Sequence, residues 1–144
     1  MSDVVACPNC AKKNRVPAAA SGVPRCGQCR TALPWITSAG DADFDQVAGA
    51  SPLPVLVDLW APWCGPCRAV APGVEGAARQ LAGRLKVVKV NVDQAPAVSA
   101  RFGAQSIPLL LVLRQGKVVD RELGAVPPDA LLRWAEGALA RSPA

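Results

Sequence analysis

Two cysteines separated by two residues, Cys64 and Cys67, have the spacing of a redox-active dithiol. They follow the apolar segment 55–60, which we predict to be a buried strand, at the point where a helix should begin. Positions i and i+3 of a helix lie on one face, with Cβ atoms about 5–6 Å apart, so a small adjustment allows a disulfide. The pattern predicts dithiol–disulfide exchange. The alternatives are half of a zinc site or two cysteines without a chemical role.

The two cysteines are not equivalent. Unpaired N–H groups and the helix dipole at a helix N-terminus favour the thiolate form of Cys64, and Pro66 is tolerated because first-turn N–H groups have no intrahelical partner. We therefore expect Cys64 to be the attacking nucleophile. Cys67, one turn inside, would attack the mixed disulfide and release the product. The chain contains no histidine, so its chemistry depends on thiols, carboxylates, lysines or backbone groups.

Four more cysteines form two further CxxC pairs near the N-terminus, separated by fifteen residues: Cys7, Cys10, Cys26 and Cys29. This spacing lies within the range of zinc ribbons. Four thiolates suit one tetrahedral Zn²⁺ per chain, and a site without an open position is structural rather than catalytic. The alternatives are two disulfides, or iron held by the same four sulfurs.

Composition and charge divide the chain near residue 36. Segment 1–35 lacks long apolar periodicity and cannot fold alone without a metal or a crosslink, so we predict a four-cysteine zinc-binding module at 1–35 and an α/β domain at 36–144. Of the net charge of +5, segment 1–35 carries +4, from five basic residues and Asp3. A bound divalent metal with four thiolates would lower this to about +2, which weakens a nucleic-acid-binding interpretation.

Cellular location is predicted from cysteine usage and apolar runs. No secretory signal is visible and six cysteines are present, which favours a reducing compartment, the cytoplasm. The longest apolar run, 107–113, is too short to cross a membrane.

The apolar pattern predicts a βαβαβαββα order that begins with a weak strand near 34–37. The other strands are expected at 55–60, 85–93, 108–113 and 117–123, and the main helices at 64–82, 95–102 and 129–139. An earlier helix should start with Asp41 or Asp43 as N-cap, and Pro72 should kink the helix that contains it. Strands joined through helices make a parallel sheet, and a hairpin at Gln115–Gly116 adds an antiparallel edge.

The segment Trp60-Ala61-Pro62-Trp63-Cys64-Gly65-Pro66-Cys67 resembles the active-site signature of the thioredoxin family. The resemblance covers residues 36–142, including segments 90–93 and 106–108, and the cysteine module ahead of it is similar to that of a zinc-binding bacterial subgroup of the family. It implies a thioredoxin fold, with a central mixed sheet flanked by helices. Leu59 and Leu109 depart from the family pattern, which usually has an aromatic residue and threonine at these places.

The resemblance also assigns supporting roles. It makes Asp58 the proton acceptor for Cys67 and Lys89 a partner that tunes this acid; burial should raise the pKa of Asp58. The alternative is that Asp58 is only the salt-bridge partner of Lys89.

The resemblance also implies which further residues shape the substrate groove. By this resemblance the Ile107–Pro108 bond is cis, so that the backbone of Ile107 can pair with an extended substrate. Gly124 should let a substrate backbone approach, although it could be an ordinary turn glycine. The remaining expected members of the site are Trp63, Gly65 and Pro66.

We interpret the chain as a cytoplasmic protein-disulfide reductase that cycles through a Cys64–Cys67 disulfide. The resemblance implies disulfide-containing protein substrates and recycling by an NADPH-dependent thioredoxin reductase, with no bound organic cofactor. We expect a monomer without nucleic-acid or membrane partners. One alternative is a zinc-ribbon adaptor on a thioredoxin-like scaffold. Another is a disulfide oxidase or isomerase, which the Gly-Pro pair between the cysteines and the missing signal peptide disfavour.

Overall fold

The computed structural model describes residues 2–141, which form two β-sheets and three α-helices. An N-terminal antiparallel hairpin consists of β1 (Ser2–Ala6) and β2 (Lys13–Pro17). The five strands of the larger sheet lie in the order β3-β5-β4-β6-β7. They are β3 (Ile36–Ser38), β4 (Val55–Trp60), β5 (Lys86–Asn91), β6 (Leu109–Arg114) and β7 (Lys117–Leu123). The helices are α1 (Gly65–Gln80), α2 (Pro96–Arg101) and α3 (Pro128–Leu139).

The central strand β4 explains why the sheet is mixed. It runs parallel to β5 and antiparallel to β6, so that Val57 has Val88 on one side and Leu111 on the other. Residues 55–59 are all buried because α1 and α3 cover one face of the sheet, and α2 and a π-helical turn (Asp45–Gly49) cover the other. The predicted thioredoxin fold, with a central mixed sheet flanked by helices, is therefore confirmed.

Helix α1 starts one residue later than predicted, because Cys64 has extended backbone angles and serves as its N-cap. The helix continues through Pro72 to Gln80. At Gly73, α3 comes so close that a Cβ atom would lie 3.2 Å from the Cα of Pro128. A side chain here would push the two helices apart.

The predicted N-cap role of Asp41 and Asp43 is wrong. The carboxylate of Asp41 accepts hydrogen bonds from the backbone N–H groups of Ala97 (3.1 Å) and Val98 (2.9 Å), in the first turn of α2. The N-cap of α2, Ala95, has no side chain that could accept them, so Asp41 caps this helix from 56 residues away. Asp43 instead accepts a hydrogen bond from the N–H of Gly40 at 2.8 Å, ahead of the π-helical turn.

The helices also bear on membrane insertion. Within residues 2–141, no helix is long and apolar enough to cross a lipid bilayer.

Candidate functional site

Cys64 and Cys67 form a disulfide at the N-terminus of α1, with their Cα atoms 5.3 Å apart. Both residues are nearly buried, with exposed fractions of 4% and 3%. The backbone N–H of Cys67 points at the Sγ of Cys64 and donates a hydrogen bond over 3.2 Å. This donor, with the other unpaired first-turn N–H groups, stabilises negative charge on Cys64 once the disulfide is reduced.

The loop before β6 lies against the dithiol. The Ile107–Pro108 peptide bond is cis, as the resemblance implied, and the carbonyl oxygen of Ile107 lies 3.8 Å from the Sγ of Cys64. Directly after β7, the N–H of Gly124 donates a hydrogen bond to the carbonyl oxygen of Pro108 at 3.0 Å. Gly124 has a φ of +95°, so its backbone conformation alone is a sufficient reason for glycine.

Trp63 is the exposed aromatic residue at the rim of this site, with an exposed fraction of 68%. Its Nε1–H donates to the carboxylate of Asp93, with distances of 3.0 and 3.2 Å to the two oxygens. Asp93 had no predicted role in the site, and neither did Arg68. The guanidinium of Arg68 donates a hydrogen bond to the carbonyl oxygen of Pro62 at 2.6 Å and so fixes the loop before Cys64. Neither interaction has a signal in the sequence, because each depends on how the loops are folded.

Asp58 lies on β4 with an exposed fraction of 1%, and its Oδ1 has no hydrogen-bond partner in the described part of the chain. Burial raises the pKa of this carboxyl to about 6, although the positive charge of Lys89 acts in the opposite direction. Lys89 is the register neighbour of Asp58 on β5. Among residues 2–141, however, no ion pair within 4.0 Å involves Asp58, and the Lys89 ammonium lies 5.1 Å from the centre of the Trp60 ring. A buried carboxyl with a raised pKa therefore lies on the strand that leads into the dithiol.

The four N-terminal cysteines come together as predicted, and we call Cys7, Cys10, Cys26 and Cys29 the four-cysteine cluster. All four Sγ atoms lie within 4.8 Å of one another. Two of these separations are 3.6 Å between Cys7 and Cys29, and 3.5 Å between Cys10 and Cys26. Sulfurs bound tetrahedrally to one ion at about 2.3 Å lie about 3.8 Å from each other, so the donor set fits a single metal ion. These distances are too long for disulfides, and all four thiols are free.

The two CxxC turns of the cluster are built alike. In each turn, a backbone N–H lies 3.4 Å from the sulfur of the first cysteine, from Asn9 to Cys7 and from Gln28 to Cys26. The residue after each turn is a non-glycine residue with positive φ, Ala11 at 66° and Arg30 at 67°. Such conformations are uncommon outside glycine and are kept where the surroundings require them. Here they accompany two turns that direct two pairs of sulfurs at one point.

The charges of the cluster also favour a bound cation. Hydrogen bonds with the Asn9 side chain and with Thr31 lower the pKa of Cys29 to about 5. The backbone N–H of Lys12 lowers the pKa of Cys10, but desolvation and the three neighbouring cysteines outweigh it and raise the pKa to about 12. A bound cation would offset the negative charge of the neighbouring thiolates and so favour loss of the proton from Cys10.

Comparisons with known proteins agree with this site. A sequence model of the family described as Thioredoxin matches residues 36–137. The chain is 48% identical to a thioredoxin of Haemophilus influenzae over 94 residues, which cover 65% of this chain and 88% of the relative. It is 50% identical to thioredoxin 1 of a Nostoc species over 96 residues, 67% of this chain and 90% of the relative. The family match begins at residue 36, beyond the four-cysteine cluster.

Proposed function

Because the chain belongs to the thioredoxin family, we propose that it acts in the cytoplasm as a protein-disulfide reductase in which Cys64 attacks the substrate. Thiol–disulfide exchange through the Cys64–Cys67 pair is the activity of this family member. The observation that supports the direction of attack is the 3.2 Å hydrogen bond from the Cys67 N–H to the Cys64 sulfur, which favours the thiolate at position 64.

The proposed reaction starts from the reduced dithiol. The Cys64 thiolate attacks one sulfur of a substrate disulfide, a Cys64–substrate bond forms, and the other substrate sulfur leaves as a thiolate that takes up a proton. Cys67 then loses its proton and attacks Cys64, so that the mixed disulfide breaks and the second substrate thiol is released. The substrate gains two electrons, and the protein is left with the Cys64–Cys67 disulfide seen in the structure.

We propose that Asp58 accepts the proton from Cys67. Burial keeps its pKa at about 6, so near neutral pH the carboxyl is ionised and can take a proton from a thiol that is shielded from water. Lys89 would hold this pKa below the value that burial alone would give.

The proposed substrate contacts lie around the dithiol. The backbone at Ile107 would pair with an extended substrate segment, beside Pro108 and Gly124. Trp63 would cover the apolar side of this segment, and its hydrogen bond to Asp93 holds the indole in place. Pro66 is compatible with the first turn of α1, which Cys64 caps. A Cβ atom at Gly65 would meet nothing within 4 Å, so this position would leave room for a substrate beside Cys64.

Family membership implies protein disulfide substrates and a reductase partner. We propose, more specifically, that a thioredoxin reductase using NADPH returns the disulfide to the dithiol, and that the protein works as a monomer without a bound organic cofactor and without nucleic-acid or membrane partners.

We propose that segment 1–35 is a separate metal-binding module and that residues 36–144, of which 142–144 lie outside the described part of the chain, form the thioredoxin domain. Cys7, Cys10, Cys26 and Cys29 would hold one zinc ion, whose contribution is to crosslink a segment with little apolar core. The residues supply four soft thiolate donors and N–H contacts to sulfur. Four protein ligands would fill a tetrahedral site and leave no open position for a reaction.

The reduction potential of the Cys64–Cys67 pair tests the proposed direction of the reaction. Thioredoxin itself is the reference for a reductant, at about −270 mV, and strong disulfide oxidants lie near about −120 mV. Equilibration with glutathione buffers, read by mass spectrometry of alkylated protein, should give a value below about −230 mV. A value at the oxidant end of this range would show an oxidase instead.

A further inference from the structure

Lys86, the first residue of β5, is fully buried, with an exposed fraction of 0%. Lysine is almost never buried without partners. Its ammonium donates hydrogen bonds to the carbonyl oxygens of Ala18 and Val47, both at 2.6 Å, and lies 4.1 Å from the centre of the Trp35 ring. Within residues 2–141, no carboxylate forms an ion pair with it. Two backbone carbonyls and one aromatic face therefore stabilise this charge.

The three partners of Lys86 come from three different parts of the chain. Ala18 directly follows the N-terminal hairpin, Trp35 directly precedes β3, and Val47 belongs to the π-helical turn. Desolvation by burial lowers the pKa of Lys86 to about 8, so the amine remains mostly charged at neutral pH. This buried charge joins the segment that carries the four-cysteine cluster to the five-stranded sheet.

Trp35 continues the connection toward the four-cysteine cluster. Its indole shares a buried apolar cluster with Cys7, Cys26 and Val16. Its Nε1–H donates to the carbonyl oxygen of Pro17 at 2.9 Å. The Trp35 ring thus packs with Cys7 and Cys26, and the ammonium of Lys86 lies over its face.

On the other side, Lys86 is fixed within the sheet. Its N–H donates to the carbonyl oxygen of Pro54, and the N–H of the next residue, Val87, donates to that of Trp35, at 2.9 and 2.8 Å. Strand β5 pairs along its whole length with β4, the strand that carries Asp58 and leads into the dithiol. Lys86 and Trp35 therefore form a continuous contact between the segment that carries the four-cysteine cluster and the strands of the active site.

We propose that Lys86 and Trp35 couple the four-cysteine cluster to the five-stranded sheet, so that a metal ion bound by the four cysteines stabilises β5 and the π-helical turn. The inference rests on the proposed metal site and adds what that site does for the catalytic domain. Because coupling is reciprocal, an intact sheet must tighten metal binding by the same factor by which metal stabilises the sheet.

Lys86→Met is the variant that separates coupling from stability. Methionine keeps the apolar stem and removes the ammonium, which leaves the carbonyls of Ala18 and Val47 without this donor. Replacing a buried charge by an apolar group can raise or lower overall stability, so the stability of the variant alone is not informative. The informative quantity is the response to metal removal. Lys117→Met, at an exposed lysine on β7 of the same sheet, is the matched control.

The experiment is hydrogen exchange by mass spectrometry on the full chain, with zinc and after chelation, while a chromogenic dye measures the zinc released. In the original chain, chelation should speed exchange about tenfold in segments 86–91 and 45–50 and leave α3 unchanged. In Lys86→Met, chelation should leave exchange in these segments nearly unchanged, whatever its starting rate, and zinc should bind about tenfold more weakly. Lys117→Met should behave like the original chain.

Three results would overturn the inference. If zinc is released but exchange in segment 86–91 of the original chain does not change, the metal site stands and the coupling is wrong; this arm needs no variant to fold. The same conclusion follows if Lys86→Met responds to chelation as Lys117→Met does. If the original chain holds no zinc, the proposed metal site fails and the inference fails with it.

Discussion

The backbone N–H of Cys67 donates a hydrogen bond to the sulfur of Cys64, which is the N-cap of α1. The reverse contact is not available, because the sulfur of Cys67 lies one turn inside the helix. This asymmetry distinguishes the two thiols of an otherwise symmetric pair, and it makes Cys64 the group on which negative charge is stabilised.

Asp58→Asn should change how stability depends on pH. The pKa of Asp58 is about 6 in the folded chain, against an ordinary value of 3.8, so the unfolded chain releases this proton first as the pH rises. The neutral carboxyl is compatible with burial, and the ionised carboxyl is not. The stability of the folded chain that depends on the neutral form is therefore fully present below about pH 4 and is lost as the pH rises through about 6. At neutral pH the variant should therefore be more stable than the original chain, by up to about 3 kcal/mol.

Urea unfolding of the oxidised protein at about pH 4 and about pH 7 measures this difference. Glu136→Gln, at an exposed acid of α3, is the control and should leave the pH dependence as it is. An Asp58→Asn variant with the pH dependence of the original chain would show that the buried carboxyl is not the titrating group.

Asp58→Asn should also slow disulfide reduction at neutral pH. The original chain should gain activity as the pH rises through about 6, because the ionised carboxyl then accepts the proton of Cys67. The variant lacks this acceptor, and we expect a loss of roughly tenfold to hundredfold at neutral pH that shrinks at higher pH. The check is a pH–rate profile of the reduction of a model protein disulfide. A profile equal to that of the original chain would leave Asp58 a structural acid only.

Purified protein should carry about one zinc ion per chain, bound by the four-cysteine cluster. Cys29→Ser should lose most of it, because a hydroxyl replaces one of four thiolates. Elemental analysis by mass spectrometry gives the metal and its amount, and an absorbing, coloured protein would indicate iron in place of zinc. Cys64→Ser is the control and should keep the full zinc content, since this residue is outside the cluster.

A truncated chain that starts at Ile36 tests whether segment 1–35 is separable. It keeps β3, the dithiol, Asp58 and Pro108, so it should still reduce disulfides. It also lacks Ala18 and Trp35, which leaves the buried ammonium of Lys86 with fewer partners. We therefore expect a lower unfolding temperature than in the full chain, with part of the loss recovered by Lys86→Met in the truncated chain.

Thermal unfolding followed by circular dichroism measures both effects. If the truncated chain were as stable as the full one, or if Lys86→Met destabilised it further, the account of Lys86 as a charge held by the N-terminal segment would be wrong.

Local patterns were sufficient for the dithiol, the strands around it and the four-cysteine cluster. The nearly continuous apolar run 55–59 predicted a strand covered on both faces, and β7 lies where the sequence placed it. Contacts between segments that are far apart in the sequence could not be predicted. Asp41 was predicted as a cap for the nearest helix, yet it caps α2, and nothing in the sequence distinguishes buried Lys86 from Lys89 three residues later. These contacts depend on tertiary packing, which the periodicity of apolar residues does not predict.

Trapping of mixed disulfides by Cys67→Ser tests the central claim most directly, that Cys64 attacks and Cys67 resolves. Without Cys67, the intermediate has no internal route to release. A model protein disulfide mixed with the reduced variant should accumulate as a covalent adduct, and peptide mapping should place the bond on Cys64. Cys64→Ser should form no comparable adduct. Failure of Cys67→Ser to trap the substrate, or an adduct on a cysteine of the four-cysteine cluster, would contradict the proposed mechanism.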